Sequence, residues 1–169
     1  SITTTSTTDL NSGSGGVNIN DANPQPTNIN SGSTGIVSIG NATGKVGINT
    51  PAPLVQLDVN GGIALRATAV AATFDNQLIT VGNTSYLQVT STNGTSSNRT
   101  IGLTAGLQVG QLLYIMNMSS NNFELRTGTV AGNTANVNPN PIDFNNQNDN
   151  CVLIWNGSNW IVFSTLTGY

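Results

Sequence analysis

Apolar residues are distributed along this chain in two regimes. In the first third they come as isolated pairs: Ile19, Ile29, Ile39 and Ile48 recur at intervals of 10, 10 and 9 residues, inside "VNIN", "TNIN", "VSIG" and "VGIN". Each unit is a β-branched residue, a small or polar one, Ile, then Asn or Gly. That alternation is the period-two signature of a half-buried strand. Turn formers ("DANPQP", "SGSTG", "NATGK") separate the units, so the predicted pattern is short strand, turn, short strand. From Leu78 onward the apolar positions thicken into seven predicted strands: 78–81, 86–90, 99–104, 111–117, 122–126, 151–156 and 159–164. Polar gaps such as "STNGTSSN" and "NMSSNN" separate most of them, and Asn156-Gly157 in "WNGSNW" predicts a tight hairpin turn. The predicted core includes Leu113, Ile115, Phe123, Leu125, Leu153, Trp155 and Ile161.

Two stretches link these regimes. Residues 46–62, "VGINTPAPLVQLDVNGG", are dense in aliphatic and turn residues and read as a collar where the thin repeat ends. Residues 63–77, "IALRATAVAATFDNQ", are the least β-like. Their Ala-rich run fits two or three helical turns, a short three-stranded coiled coil or an extended connector equally well.

The repeat has a physical problem as a single chain. Burying two aliphatic side chains per unit gains about 3–6 kcal/mol. Ordering ten residues costs about 10–20 kcal/mol of backbone entropy. Several copies wound around a common axis give each Ile and Val counterparts to meet. A flexible Ser/Thr/Gly linker has no reason to repeat an apolar pair at fixed spacing.

Composition narrows the function classes. Asn, Ser, Thr and Gly make up roughly half of the 169 residues, and charged residues only 7%, against about 25% in a typical soluble domain. With a net charge of only -3 the chain lacks the high charge of disordered segments. Its four bases, Lys45, Arg66, Arg99 and Arg126, are scattered, so neither nucleic acid nor an anionic membrane surface is an expected partner. No apolar run has the length of a membrane helix. A chain that begins at Ser1 without Met is expected to be a processed product or a piece of a longer one. The single cysteine, Cys151 in "CVLIW", reads as a buried strand residue.

Candidate chemistry is sparse. There is no His, which removes the commonest general base, most catalytic triads and most zinc sites. The C-terminal portion offers Asp75, Glu124, Asp143 and Asp149 as carboxylates, with no motif singling out a glycosidase pair. The Asn/Asp-dense run 143–150 has hard oxygen ligands for Ca²⁺ but no EF-hand spacing, and it reads first as a turn-rich loop. No catalytic residue, metal or cofactor is therefore expected. Receptor-binding candidates are Trp160, an aromatic following the hairpin, and the loop amides Asn93, Asn98, Asn145 and Asn146. Loops on a rigid scaffold are where binding usually resides, and amides bond hydroxyl-rich ligands without charge.

The collar resembles a motif of trimeric phage tail fibres, tailspike stems and bacterial fibre-like surface proteins. Its usual form is V-G-I-G-T, a Pro-containing spacer, then L-D-V-x-G. Val46, Gly47, Ile48, Thr50, Pro53, Leu57, Asp58, Val59 and Gly61 match it, while Asn49 replaces the usual Gly and Gln56 a frequent Lys. The likeness spans about residues 15–66 and implies a trimeric stalk in which Asp58 caps or hydrogen-bonds at the collar. Many relatives carry a self-cleaving chaperone domain after this motif; the sequence here continues instead into a β-rich segment.

The expected fold class is all-β: an elongated homotrimer with an intertwined N-terminal β-repeat stalk and a C-terminal β-sandwich, jelly-roll-like head. Its expected parts are a flexible segment (1–14), the stalk and collar (15–62), the connector (63–77) and the head (78–169). The expected role is attachment of a virion, or a related injection particle, to a host-cell surface receptor of glycan type. Expected partners are sister copies, other particle proteins and that receptor, at the virion surface or outside the cell. The rivals are a non-viral bacterial adhesin and a polysaccharide-depolymerising tailspike enzyme.

Overall fold

The computed structural model describes residues 44–92, 99–128 and 136–166. The repeat units before residue 44 and the segment 1–14 lie outside the described residues, and so do Asn93 and Asn98. The chain divides into two units, Ser1–Gly62 and Ile63–Tyr169. Among the described residues every regular element is a strand.

The first unit contains β1 (Val46–Ile48) and β2 (Leu57–Val59), paired in parallel with Val46 opposite Leu57 and Ile48 opposite Val59. Parallel neighbours need a crossover rather than a tight hairpin, and the proline-bearing segment 49–56 provides it. Asn49 sits at φ 56°, in the left-handed region that Gly and Asn tolerate best. Its Nδ2 donates to the carbonyl of Asn60 at 3.1 Å. Asp58 Oδ2 accepts the N–H of Leu54 at 3.0 Å, pinning the crossover to β2. Yet the collar's aliphatics find little cover within one chain: Leu54 is 83% exposed, and Ile48, Val55 and Leu57 each more than half.

The second unit holds β3 (Thr68–Ala72), β4 (Gln77–Ile79), β5 (Tyr86–Ser91), β6 (Arg99–Leu103), β7 (Leu112–Asn117), β8 (Phe123–Leu125), β9 (Asn136–Asn138), β10 (Ile142–Phe144), β11 (Asn150–Trp155) and β12 (Asn159–Leu166). All seven predicted strands are present. They form a six-stranded sheet in the order β3-β5-β7-β11-β12-β9 and a four-stranded sheet in the order β10-β8-β6-β4. From β3 to β8 the chain changes sheet at every step, so strands two apart in sequence become parallel neighbours: β3 with β5, β5 with β7, β4 with β6 and β6 with β8. The polar gaps between these strands are thus crossings between sheets. Three turns of a flattened coil result, closed by antiparallel β10, β11 and β12.

One core fills the space between the sheets. Leu87, Ile115 and Leu153 enter it from the larger sheet, and Ile101, Leu125 and Phe144 from the smaller. The Phe123 and Phe144 rings stack at 4.3 Å. The strands alternate buried and less buried residues, as in "LLYIMN" of β7, the expected consequence of period-two side chains over a one-sided core.

One open alternative is resolved and two local readings change. Of the three forms open to the connector, the extended one is found: Thr68–Ala72 is β3, with Ala72 fully buried and Val70 against the core. A Thr-Ala-Val-Ala-Ala run small enough to lie flat gains a full ladder with β5, which overrides the helix propensity of Ala. The run read as a turn-rich loop from 143 begins inside β10, and β9 lies just before it, each too short at three residues to show a period. Finally, Ile161 is only partly buried, and Trp160 fills the core place expected for it.

Candidate binding surface

At one end of the second unit the end of β5 meets two connections, 118–122 between β7 and β8 and 145–149 between β10 and β11. The hub is Asn117, the last residue of β7 and fully buried. Its Nδ2 donates to the carbonyls of Asn121 and Asn146, both at 3.0 Å, and its Oδ1 accepts the N–H of Ser119 at 3.0 Å. A buried amide is tolerated only when its donors and acceptor are met this way. Ser91, also buried, extends the network. Its N–H donates to Ser119 Oγ at 3.0 Å, its hydroxyl to the Asn122 carbonyl at 3.1 Å, and its own carbonyl accepts Asn121 Nδ2 at 2.8 Å.

The 145–149 turn has its own anchor. Asp149 is 1% exposed, and its Oδ2 accepts the N–H groups of Asn145 and Asn146 at 2.8 and 2.9 Å. Asn148 takes φ 73°, and Gln147 Nε2 donates to the Met118 carbonyl at 3.2 Å. Residues 145–148 are therefore held as four consecutive exposed amide side chains on a fixed backbone.

Of the predicted binding residues, Asn145 and Asn146 lie exposed on this turn. Asn93 and Asn98 fall outside the described residues, although the strand ends flanking them reach the same network. Trp160 is not a surface residue. It is fully buried, its Nε1 donates to the Thr104 carbonyl at 2.9 Å, and its ring lies 5.3 Å from that of Trp155. The hairpin explains why: a two-residue turn puts Trp155 directly opposite Trp160 on one face of the sheet, so both point into the core. Sequence reasoning passed over Asn117, Ser119 and Asn121 as spacer. Their signal was the density of short hydrogen-bonding side chains directly after an apolar strand.

Two carboxylates, Glu124 and Asp143, share a sheet face, and the others stand apart. Asp75 pairs with Arg99 at 3.5 Å, and Glu124 with Arg126. Asp143 stands opposite Glu124 in register on the outward face of the four-stranded sheet, while Asp149 turns inward. No group of three or more His, Cys, Asp or Glu side chains that could hold a metal occurs among the described residues.

The two sheets present different outer faces. The smaller carries Glu124 and Asp143. The larger carries Tyr86 and Gln88 from β5, Leu112, Tyr114 and Met116 from β7, Val152 and Ile154 from β11, and Ile161 and Phe163 from β12, without a charged side chain. Tyr86 and Tyr114 lie opposite each other with ring centroids 5.0 Å apart, and burial raises the Tyr114 hydroxyl pKa above its ordinary value.

No family model matches the chain, and no curated protein does.

Proposed function

We propose that the chain is one subunit of a homotrimeric fibre or spike, with a threaded stalk ahead of a wound two-sheet head, and that it attaches a virion or related particle to a cell-surface glycan. The observation that carries this reading is the uncovered collar. Ile48, Leu54, Val55 and Leu57 are fixed by β1, β2 and the Asp58 anchor, yet they face outward. Isolated exposed aliphatics are common on proteins. Four within ten residues, on a segment too thin for a core, call for cover by sister copies. Full burial would contribute about 1.5–3 kcal/mol per side chain.

The head's uncharged amide turn supports the adhesive part. Exposed Asn145, Asn146, Gln147 and Asn148 supply donors and acceptors for sugar hydroxyls, and their backbone is set before any ligand arrives, which lowers the cost of binding. Three weak heads joined by one stalk gain from linkage.

An array of neutral and acidic surface polysaccharides, probed with the labelled full chain, tests the role. Retention on at least one glycan class, lost in the double variant Asn145→Ala/Asn146→Ala with folding intact, is the expected result. Equal retention of variant and parent would remove the turn from the account, and no retention on any glycan would remove the glycan receptor. The opposed Glu124 and Asp143 favour the depolymerase as a second reading, since two neighbouring carboxylates are what glycoside cleavage needs. Release of reducing ends that disappears in Glu124→Gln would establish it.

A further inference from the structure

The geometry points to the outer face of the six-stranded sheet as a subunit interface, covered by a second copy of this chain. The inference rests on the trimeric reading above and names where the heads touch.

The face is built by register. Ile154 lies between Leu112 on β7 and Ile161 on β12, and Val152 beside Tyr114, which in turn faces Tyr86. An aliphatic row and an aromatic row thus run side by side across four strands. At Val152/Leu153 the pairing with β12 shifts: Val152 lies opposite Ser164 and Leu153 opposite Val162, leaving Phe163 as the extra residue. Such a bulge re-aims a side chain, and Phe163 stands 76% exposed. Gln88, Asn150 and Asn159 flank the rows, giving an apolar centre with a polar rim, the anatomy of a protein interface.

Three observations choose the occupant. The Tyr86 and Tyr114 rings tilt against each other at 5.0 Å and the Tyr86 hydroxyl is engaged by Gln88 and Met116, while Leu112, Ile154 and Ile161 beside them offer no hydrogen bond, which disfavours a glycan. The outward positions of this sheet carry no charge, so identical copies meet without like-charge repulsion or desolvation of ions, whereas the other sheet's outward face carries the Glu124–Arg126 pair and Asp143, which an apolar interface would have to strip of water. The same chain also has uncovered aliphatics in the collar, for which sister copies are the proposed cover, so further copies of this chain are already called for.

Hydroxyl-radical footprinting of the full chain, read by mass spectrometry beside its native mass, tests this. Phe74, 57% exposed between β3 and β4, is the internal reference; left uncovered, Phe163 would react at least as fast. In a three-chain assembly Phe163 and Met116 are expected to react at least about fivefold more slowly than in Ile154→Glu, because an interface core excludes water. Continued masking of Cys151 toward a thiol reagent shows that the variant head is folded; should it unfold, Phe163 against Phe74 in the parent protein decides. A three-chain mass with Phe163 as reactive as Phe74 overturns this face and leaves the fibre reading standing. A single-chain mass overturns both. A two-chain mass with Phe163 protected supports the face and contradicts the trimer.

Discussion

Asn117 shows how one side chain holds a loop cluster. It joins the end of β7 to the 118–122 crossing and to the 145–149 turn, with no water needed to complete its bonds. Asn117→Ala would remove both Nδ2 bonds and leave the Ser119 N–H without its acceptor, while the Asn121 and Asn146 carbonyls keep only Ser119 Oγ and the Asp149 N–H; a group left unmet costs about 1–3 kcal/mol. The expected loss is about 2–4 kcal/mol, a fall in Tm of roughly 10–25 °C for a head of this size, read by calorimetry. Cys151 makes a different prediction. It is 1% exposed on β11, and burial pushes its thiol pKa from 9.0 up to about 12. Below pH 9 folded and unfolded chains both keep the proton. Between pH 9 and 12 only the unfolded chain releases it, so stability falls as pH rises, by up to about 1.4 kcal/mol per unit. Denaturant titrations should show a steeper decline over pH 9–11 in the parent protein than in Cys151→Ala, and thiol labelling should wait for unfolding. The buried cysteine and six of the seven predicted core residues follow from simple alternation. Trp160 and Ile161 do not, because a one-residue slip in parity exchanges the two faces of a strand. Pairing across the Asn156-Gly157 turn would have resolved it, since a core Trp155 requires its partner Trp160 to point the same way.

Elements differ in how far local sequence specifies them. The β11–β12 hairpin is set by its turn. Gly157 takes φ 100°, while Asn156 Oδ1 accepts the N–H groups of Ser158 and Asn159 at 3.0 and 2.7 Å. Gly157→Ala would force a Cβ into that backbone region and close on Val109, so a loss of about 1–2 kcal/mol is expected by denaturant titration. β3 is set by its neighbour. Hydrogen exchange should find amides of Thr68–Ala72 protected together with those of β5, and Val70→Pro should release protection in β3 while β11 and β12 keep theirs. Protection of 63–77 that is independent of β5 would contradict the ladder. The alanines hid this strand because their preference is helical until a parallel partner is present. The parallel winding was equally hidden. Period-two patterns show that strands exist, but which strands become neighbours depends on crossings whose polar residues read like ordinary turns.

At the scale of the molecule, the second unit has a core of its own, whereas the collar's aliphatics face outward. The aliphatic sheet face that we assign to a sister copy adds a second demand for partners. In the proposed fibre, avidity and resistance to dissociation would follow from the number of chains rather than from any single residue. Native mass of the full 169-residue protein is therefore the most direct test of the account. Three chains of 17.4 kDa give 3 × 17.4, about 52 kDa, and that mass is expected to persist on dilution. A particle of 17.4 kDa whose collar amides at 46–59 are nonetheless protected from exchange would contradict the account, because one chain would then be holding that segment without help.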